Sequence, residues 1–76
     1  MNELCKLREE AEKTLRKVAE KQLDEWTFLV ILADKWDGTP KYYGYRYFTI
    51  GDQWHLSIDE ENISAEEAMK WAFSLK

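Results

Sequence analysis

Apolar residues recur with helical spacing over residues 3–23 of the chain, and neither glycine nor proline interrupts this run. The apolar stripe consists of Leu4, Leu7, Ala11, Leu15 and Val18. Charged side chains occupy the opposite side, as in an amphipathic helix with one buried face. The pattern therefore predicts a helix over residues 3–23.

Three later segments have the composition of strands. Residues 26–34 are rich in β-branched and aromatic side chains, and apolar residues occupy both alternating sets of positions. Residues 41–50 hold four tyrosines, and residues 54–58 alternate apolar with polar positions. These segments predict a three-stranded antiparallel meander.

The sequence around Ser64 contains a complete helix-start signal and predicts a second helix. Ser64 as N-cap and Glu67 three residues later form a capping box, and Ile63 with Ala68 forms a hydrophobic staple around the cap. The apolar stripe that follows consists of Ala65, Ala68, Met69, Ala72 and Leu75. Its alanines would let this helix lie close to the sheet.

Together these elements predict a single α+β domain over residues 1–76, in the order helix, three-stranded antiparallel sheet, helix. Both helices are expected to cover one face of the sheet, because each has an apolar stripe to bury. A domain of 76 residues has a marginal core, and its four tryptophans, four tyrosines and three phenylalanines supply much of the buried bulk.

Two-residue turns at residues 37–38 and 51–52 would pair residue 32 with 43, and 47 with 56. On this register the helix-covered face consists of Trp26, Phe28, Val30, Leu32, Tyr43, Tyr45, Tyr47, Trp54, Leu56 and Ile58. The open face consists of Leu29, Ile31, Tyr42, Arg46, Phe48, Ile50, His55 and Ser57. A three-residue loop at 51–53 is the alternative, and it would exchange the two faces of the third strand.

The open face carries more apolar surface than a solvated sheet face needs, at Leu29, Ile31, Phe48 and Ile50. One interpretation is that a small domain tolerates some exposed apolar residues. The other is that the open face is a contact surface for a protein partner or for a second copy of the chain. Gly44, in the middle of a strand, indicates a bulge or a close approach by another chain.

The charge is uneven along the chain. The net charge of −4 lies entirely in residues 51–76, because acids and bases balance in residues 1–50. We predict an acidic protein contact formed by Asp52, Asp59, Glu60, Glu61, Glu66 and Glu67. A solvated helix-cap region is the alternative. An acidic end repels phosphate backbones, so direct nucleic-acid binding is not expected.

The sequence offers little for catalysis. His55 is the only histidine and Cys5 the only cysteine, too few ligands for a recognisable metal site. We predict no enzyme activity, no cofactor and no metal. With one cysteine no internal disulfide can form, and no apolar run is long enough to span a membrane. A cytoplasmic protein without a signal peptide is expected.

The element order resembles that of the double-stranded-RNA-binding domain, which also runs helix, three strands, helix. That family binds RNA through a basic cluster at the start of its second helix. Residues 64–68 of this chain carry Glu66 and Glu67 at that place, so the resemblance transfers no RNA-binding residue.

These features favour a small acidic, non-catalytic protein-binding module that inhibits a target by occupying its basic, nucleic-acid-binding surface. Phage-encoded inhibitors of bacterial defence (anti-CRISPR-like proteins), antitoxins and immunity proteins are of this kind. A homodimer joined through the open sheet face is one alternative. A de novo designed α+β protein with no biological function is another.

Overall fold

The computed structural model describes residues 3–35 and 38–74. Its elements are helix α1 (Glu3–Thr14), strands β1 (Leu15–Asp24), β2 (Thr27–Asp34), β3 (Tyr42–Ile50) and β4 (Gln53–Ile63), and helix α2 (Ala65–Ser74). The strands form one antiparallel sheet in the order β1-β2-β3-β4. The α+β class and the order helix, antiparallel sheet, helix are therefore confirmed, but the sheet has four strands rather than the three predicted.

The additional strand comes from the second half of the predicted long helix. α1 ends at Thr14, and β1 begins at the next residue. β2 explains this outcome, because its five successive residues from Leu29 to Ala33 are all buried. A strand that is apolar on both faces is a central strand, which needs a neighbour on each side. β1 supplies that neighbour, and Val18 marks a bulge in it and is half exposed.

One face of the sheet packs against α1. Its core consists of Ala11, Leu15, Val30, Leu32 and Tyr47, with Leu4, Leu7, Phe28, Tyr43, Tyr45, Trp54 and Leu56 packed around them. Three of the four tyrosines in residues 41–50 thus face this helix. The predicted pairings of residue 32 with 43 and of 47 with 56 are confirmed. Trp26 and Ile58, also expected under a helix, are largely exposed at the margins.

α2 packs on the opposite face, so the prediction that both helices share one face is wrong. Ala68 and Ala72 lie on Ile31, with Tyr42, Ile63 and Trp71 packed against them. Both faces of β2 are apolar, and a single helix layer can bury only one face of a sheet. The two helices therefore divide the faces between them.

The turns follow local chemistry. Gly51 has a positive φ of 63°, and Ile50 pairs with Gln53 around it, as in the predicted two-residue turn with glycine at its first central position. This register excludes the three-residue loop at 51–53. The other predicted turn includes Asp37, which lies outside the described residues.

Arg8 of α1 is held over the sheet by a bidentate ion pair. Its two terminal nitrogens lie 2.6 and 3.0 Å from the carboxylate oxygens of Glu20 on β1. The guanidinium carbon also lies 5.2 Å from the centre of the Phe28 ring and 5.7 Å from that of Tyr47. Burial raises the pKa of Tyr47 to about 12, so its hydroxyl stays neutral beside this charge. The pair ties α1 to the edge strand.

The Arg8–Glu20 pair makes the stability of the fold depend on pH. The hydrogen bonds from Arg8 lower the pKa of Glu20 below its usual 4.5. A carboxylate whose pKa is lower in the folded state stabilises the fold above its unfolded pKa, and that contribution is lost as the pH falls through the folded value. Glu20→Gln should cost about 1–3 kcal/mol at pH 7 and progressively less below pH 4.5, as measured by urea unfolding across pH. Glu10→Gln, which alters an exposed pair with Lys13, is the control. A Glu20→Gln cost independent of pH would contradict the prediction.

The bulge predicted as one alternative at Gly44 is present, because the register of β3 with β4 shifts on both sides of this residue. The close approach is made by Trp71 of the same chain and not by another chain. A Cβ at position 44 would lie 2.8 to 2.9 Å from atoms of the Trp71 ring, well inside van der Waals contact. The indole of α2 therefore covers a strand position that only glycine leaves free.

Gly44→Ala should destabilise the protein by about 1–3 kcal/mol, the usual cost of overpacking a filled site. The same substitution in a Trp71→Leu background should cost clearly less, because the ring that it strikes has been removed. Thermal unfolding of the four proteins in this double-mutant cycle measures the coupling. Additive costs would show that Trp71 is not the source of the constraint.

Candidate protein-contact surface

Two bulges shape the end of β4. Glu60 pairs with Gly44 and Ile58 with Tyr45, which leaves Asp59 as an extra residue between them. Further along, Ile63 pairs with Tyr42, and Asn62 has a positive φ of 53°. Bulges of this kind re-aim side chains and blunt an edge strand against pairing with other chains. They decide where the acidic residues 59–61 lie.

Asp59 takes part in an internal polar network on the α2 side of the sheet. Its carboxylate accepts hydrogen bonds from the Ser57 hydroxyl at 2.8 Å and from the Trp71 indole nitrogen at 3.3 Å. Arg46 forms an ion pair with it at 2.7 Å. The Asp59 side chain is only 14% exposed, so it holds Trp71 and Arg46 in place rather than facing solvent.

Four of the six predicted acidic residues lie where β4 passes into α2. We call Glu60, Glu61, Glu66 and Glu67 the glutamate surface. Glu61, Glu66 and Glu67 are exposed, and Glu60 is half-buried. Asp52 lies apart from them, in the turn at the other end of β4, roughly 25 Å away for a strand rise of about 3.3 Å per residue.

The glutamate surface wraps around the β4 edge. Glu60 and Glu67 line a depression of about 670 Å³ on the α2 side, together with Lys70, Trp71, Phe73 and Ser74. Glu61 lies on the opposite side of the edge, close enough to Tyr45 to affect its titration. Burial raises the pKa of Tyr45, and the negative charge of Glu61 raises it further. Both flanks of this edge thus carry negative charge.

The first turn of α2 is built as its sequence predicts. The Ser64 hydroxyl accepts a hydrogen bond from the Glu67 backbone at 3.2 Å, and the Glu67 carboxylate accepts one from the Ser64 backbone at 3.2 Å. Ile63 packs in the same cluster as Ala68. The capping box and the staple are confirmed. Glu67 therefore stabilises the start of α2. Among the described residues, Glu66 forms an exposed ion pair with Lys70 at 4.0 Å, and such a pair contributes little stability.

The predicted open face is largely covered. Leu29 and Ile31 are 1% and 5% exposed, because α2 lies over this side of the sheet, and Tyr42 packs beside the same helix. Their apolar surplus is explained by α2, so the prediction that they form an open surface is wrong. The uncovered part carries Phe48, whose ring stacks on His55 at 5.8 Å, and Ile50, which is 63% exposed. Arg46 borders this part and is engaged by Asp59.

The residues considered for catalysis are not brought together. Cys5 is exposed on α1, on one side of the sheet, while His55 stacks on Phe48 on the other. Within residues 3–35 and 38–74, no group of three or more His, Cys, Asp or Glu side chains could hold a metal ion. Neither helix, as described, has the length and apolar character needed to cross a membrane.

Sequence reasoning missed Trp71 and Lys70 as neighbours of the glutamate surface. The signal was present, because positions three and four residues after Glu67 share its flank of a helix. Their placement matters chemically: an indole beside carboxylates can receive an arginine or lysine side chain.

Comparisons with known proteins give no assignment: no family model, no curated protein and no solved structure matches this chain. The fourth strand also separates its element order from that of the double-stranded-RNA-binding domain. The case for a function therefore depends on the chemistry of the surface.

Asp59 and Glu61 allow a matched comparison between a carboxylate that stabilises the fold and one that is exposed on the surface. Asp59→Asn should destabilise the protein by about 1–3 kcal/mol, because it weakens the pair with Arg46, whose Nε is buried with no hydrogen-bond partner among the described residues. Glu61→Gln, two positions away and exposed, should change stability by no more than about 0.5 kcal/mol. Urea midpoints measure both. Equal effects would reject the distinction between the two carboxylates.

Proposed function

We propose that this protein is a non-catalytic protein-binding module that inhibits a target by placing the glutamate surface in a basic, nucleic-acid-binding groove. The observation that carries the proposal is the exposure of Glu61 and Glu66 on an edge where Glu60 and Glu67 also lie. Exposed carboxylates can take the place of phosphates, and they attract a basic partner over a long range.

The depression beside α2 supports a specific mode of contact. Glu60, Glu67 and Trp71 all line it. An arginine of the target could pair with a carboxylate and lie against the indole at the same time. Because the β4 edge is bulged, the contact uses side chains and not addition of a strand to the sheet.

The test is capture from a bacterial lysate on immobilised protein, followed by mass spectrometry. Proteins that bind nucleic acid should be enriched, and added duplex DNA should displace them. Binding should weaken steeply with salt, since charges are screened beyond about 8–10 Å near physiological ionic strength. The double variant Glu61→Lys/Glu66→Lys should lose these proteins while keeping the capping box.

The chain offers a closely matched control. Glu3 and Glu9 are exposed on α1, and Glu3 lies in the first turn of its helix, as Glu66 does in α2. Glu3→Lys/Glu9→Lys therefore makes the same change in net charge and a similar change at a helix start. It should retain the captured proteins. If both double variants lose the captured proteins equally, binding depends on overall net charge and not on the glutamate surface, and the proposal is rejected.

A homodimer is the second candidate, favoured by the exposure of Ile50 and by the uncovered Phe48–His55 stack. Phe48→Glu separates the two candidates within the same experiment. If it abolishes self-association in sedimentation while Glu61→Lys/Glu66→Lys leaves capture unchanged, the homodimer replaces the acidic contact as the function.

A further inference from the structure

The Trp71 ring, which lines the depression beside α2, lies with one face against the sheet. Its atoms Cε3, Cδ2 and Cζ3 are 2.8, 2.9 and 2.9 Å from the position that a Cβ would take at Gly44. A group at the edge of a ring is close to one atom and clearly farther from that atom's neighbours. Three nearly equal distances therefore place Gly44 against the ring face, so the opposite face of the indole is turned away from β3.

The indole is also held at its edge. Its Nε1–H donates a hydrogen bond to the Asp59 carboxylate at 3.3 Å. Asp59 is in turn fixed by the Ser57 hydroxyl at 2.8 Å and by Arg46 at 2.7 Å. Rotation of the indole would break both the face contact and the hydrogen bond. Trp71 thus supplies a flat wall that is ordered before any partner arrives, which lowers the entropic cost of binding.

Carboxylates from two elements line the same depression, which has a volume of about 670 Å³. Glu60 comes from β4 and Glu67 from α2, and one oxygen of Glu67 accepts the Ser64 backbone N–H at 3.2 Å. Lys70 is the one basic residue among the described residues that line it, and it forms the exposed pair with Glu66. The depression therefore combines an aromatic wall with an excess of negative charge.

We infer that this depression receives a single arginine side chain of the partner and selects arginine over lysine. A guanidinium is planar and weakly hydrated, so it can lie on the outer face of the indole while its N–H groups donate to a carboxylate. An ammonium is compact and strongly hydrated, and it gains less from a ring face. The inference rests on the proposed function for the partner that supplies the arginine. It adds the side chain that the partner presents, and it makes Asp59 a positioning residue for Trp71.

The experiment is a titration of the folded protein with capped arginine, capped lysine and capped citrulline, the neutral isostere of arginine, at constant ionic strength. The indole N–H signal of Trp71 is followed by NMR. Trp26, which is 58% exposed and lies beside Trp54, is the reference. Arginine should shift the Trp71 signal and bind about fivefold more tightly than lysine. Citrulline should cause no shift, and a generic attraction of arginine to indoles would shift Trp26 at least as strongly as Trp71.

Charge variants test the carboxylate part of the site. Glu60→Gln and Glu67→Gln should each weaken arginine binding by about threefold, and glutamine at position 67 keeps the capping box. Glu61→Gln is the matched control, because it removes the same charge from the residue after Glu60, on the opposite side of the edge. It should leave arginine binding unchanged. Lys70→Gln should strengthen arginine binding by about twofold, since it removes the competing ammonium.

Ring variants test the aromatic part of the site. Trp71→Leu should leave only a weak attraction, equal for arginine and lysine, as followed at the backbone amides of Glu60 and Glu67. Asp59→Asn should largely remove the preference for arginine, because the ring is held less firmly. If Asp59 only stabilised the fold, its substitution would lower the urea midpoint and leave the ratio of arginine to lysine affinity unchanged.

Three results would overturn the inference: equal affinity for arginine and lysine, equal shifts at Trp26 and Trp71, or unchanged arginine binding by folded Trp71→Leu protein. Its failure can be told apart from failure of the proposed function. If capped arginine binds as expected but no nucleic-acid-binding protein is captured, the arginine site stands and the proposed function fails. If such proteins are captured while capped arginine leaves Trp71 unshifted, the inference fails and the proposed function stands.

Discussion

The structure depends on one strand that is apolar on both faces. Five successive buried residues in β2 need a hydrogen-bonded neighbour on each side and an apolar layer above and below. β1 and β3 meet the first requirement, and α1 and α2 meet the second. The conversion of residues 15–24 from a predicted helix to a strand is the direct result. The division of the helices between the two faces has the same cause.

Features governed by local chemistry could be predicted from the sequence. Gly51 sets its turn and so the register of β3 with β4, and Ser64 with Glu67 sets the start of α2. β1 could not be predicted in this way, because residues 15–24 can form a helix or a strand and the spacing of three between Leu15 and Val18 favours the helix. Long-range pairing with β2 decides between them. The apolar residues on both faces of residues 26–34 were the signal that another strand was needed.

The sequence predicts which acidic residues are present, but it does not predict how their side chains are arranged. The sequence indicates six carboxylates between residues 52 and 67, yet a bulge in β4 turns Asp59 inward to Arg46 and Trp71. A bulge is set by the pairing of two strands, and no short-range pattern records it. Gly44 shows the same limit: the strand glycine was noticed, while the ring that covers it comes from an element 27 positions later.

The sheet order has a consequence for how the chain acquires its structure. Every strand pairs with its neighbour in sequence, so the meander can form progressively as the chain emerges from the ribosome. α2 follows all four strands, and until it docks, the Leu29 and Ile31 side of the sheet is bare. During that interval the nascent sheet presents an aggregation-prone surface, which a chaperone or rapid completion of the chain must shield. A product shortened before residue 65 would retain that surface permanently and become a substrate for quality control rather than a smaller version of the fold.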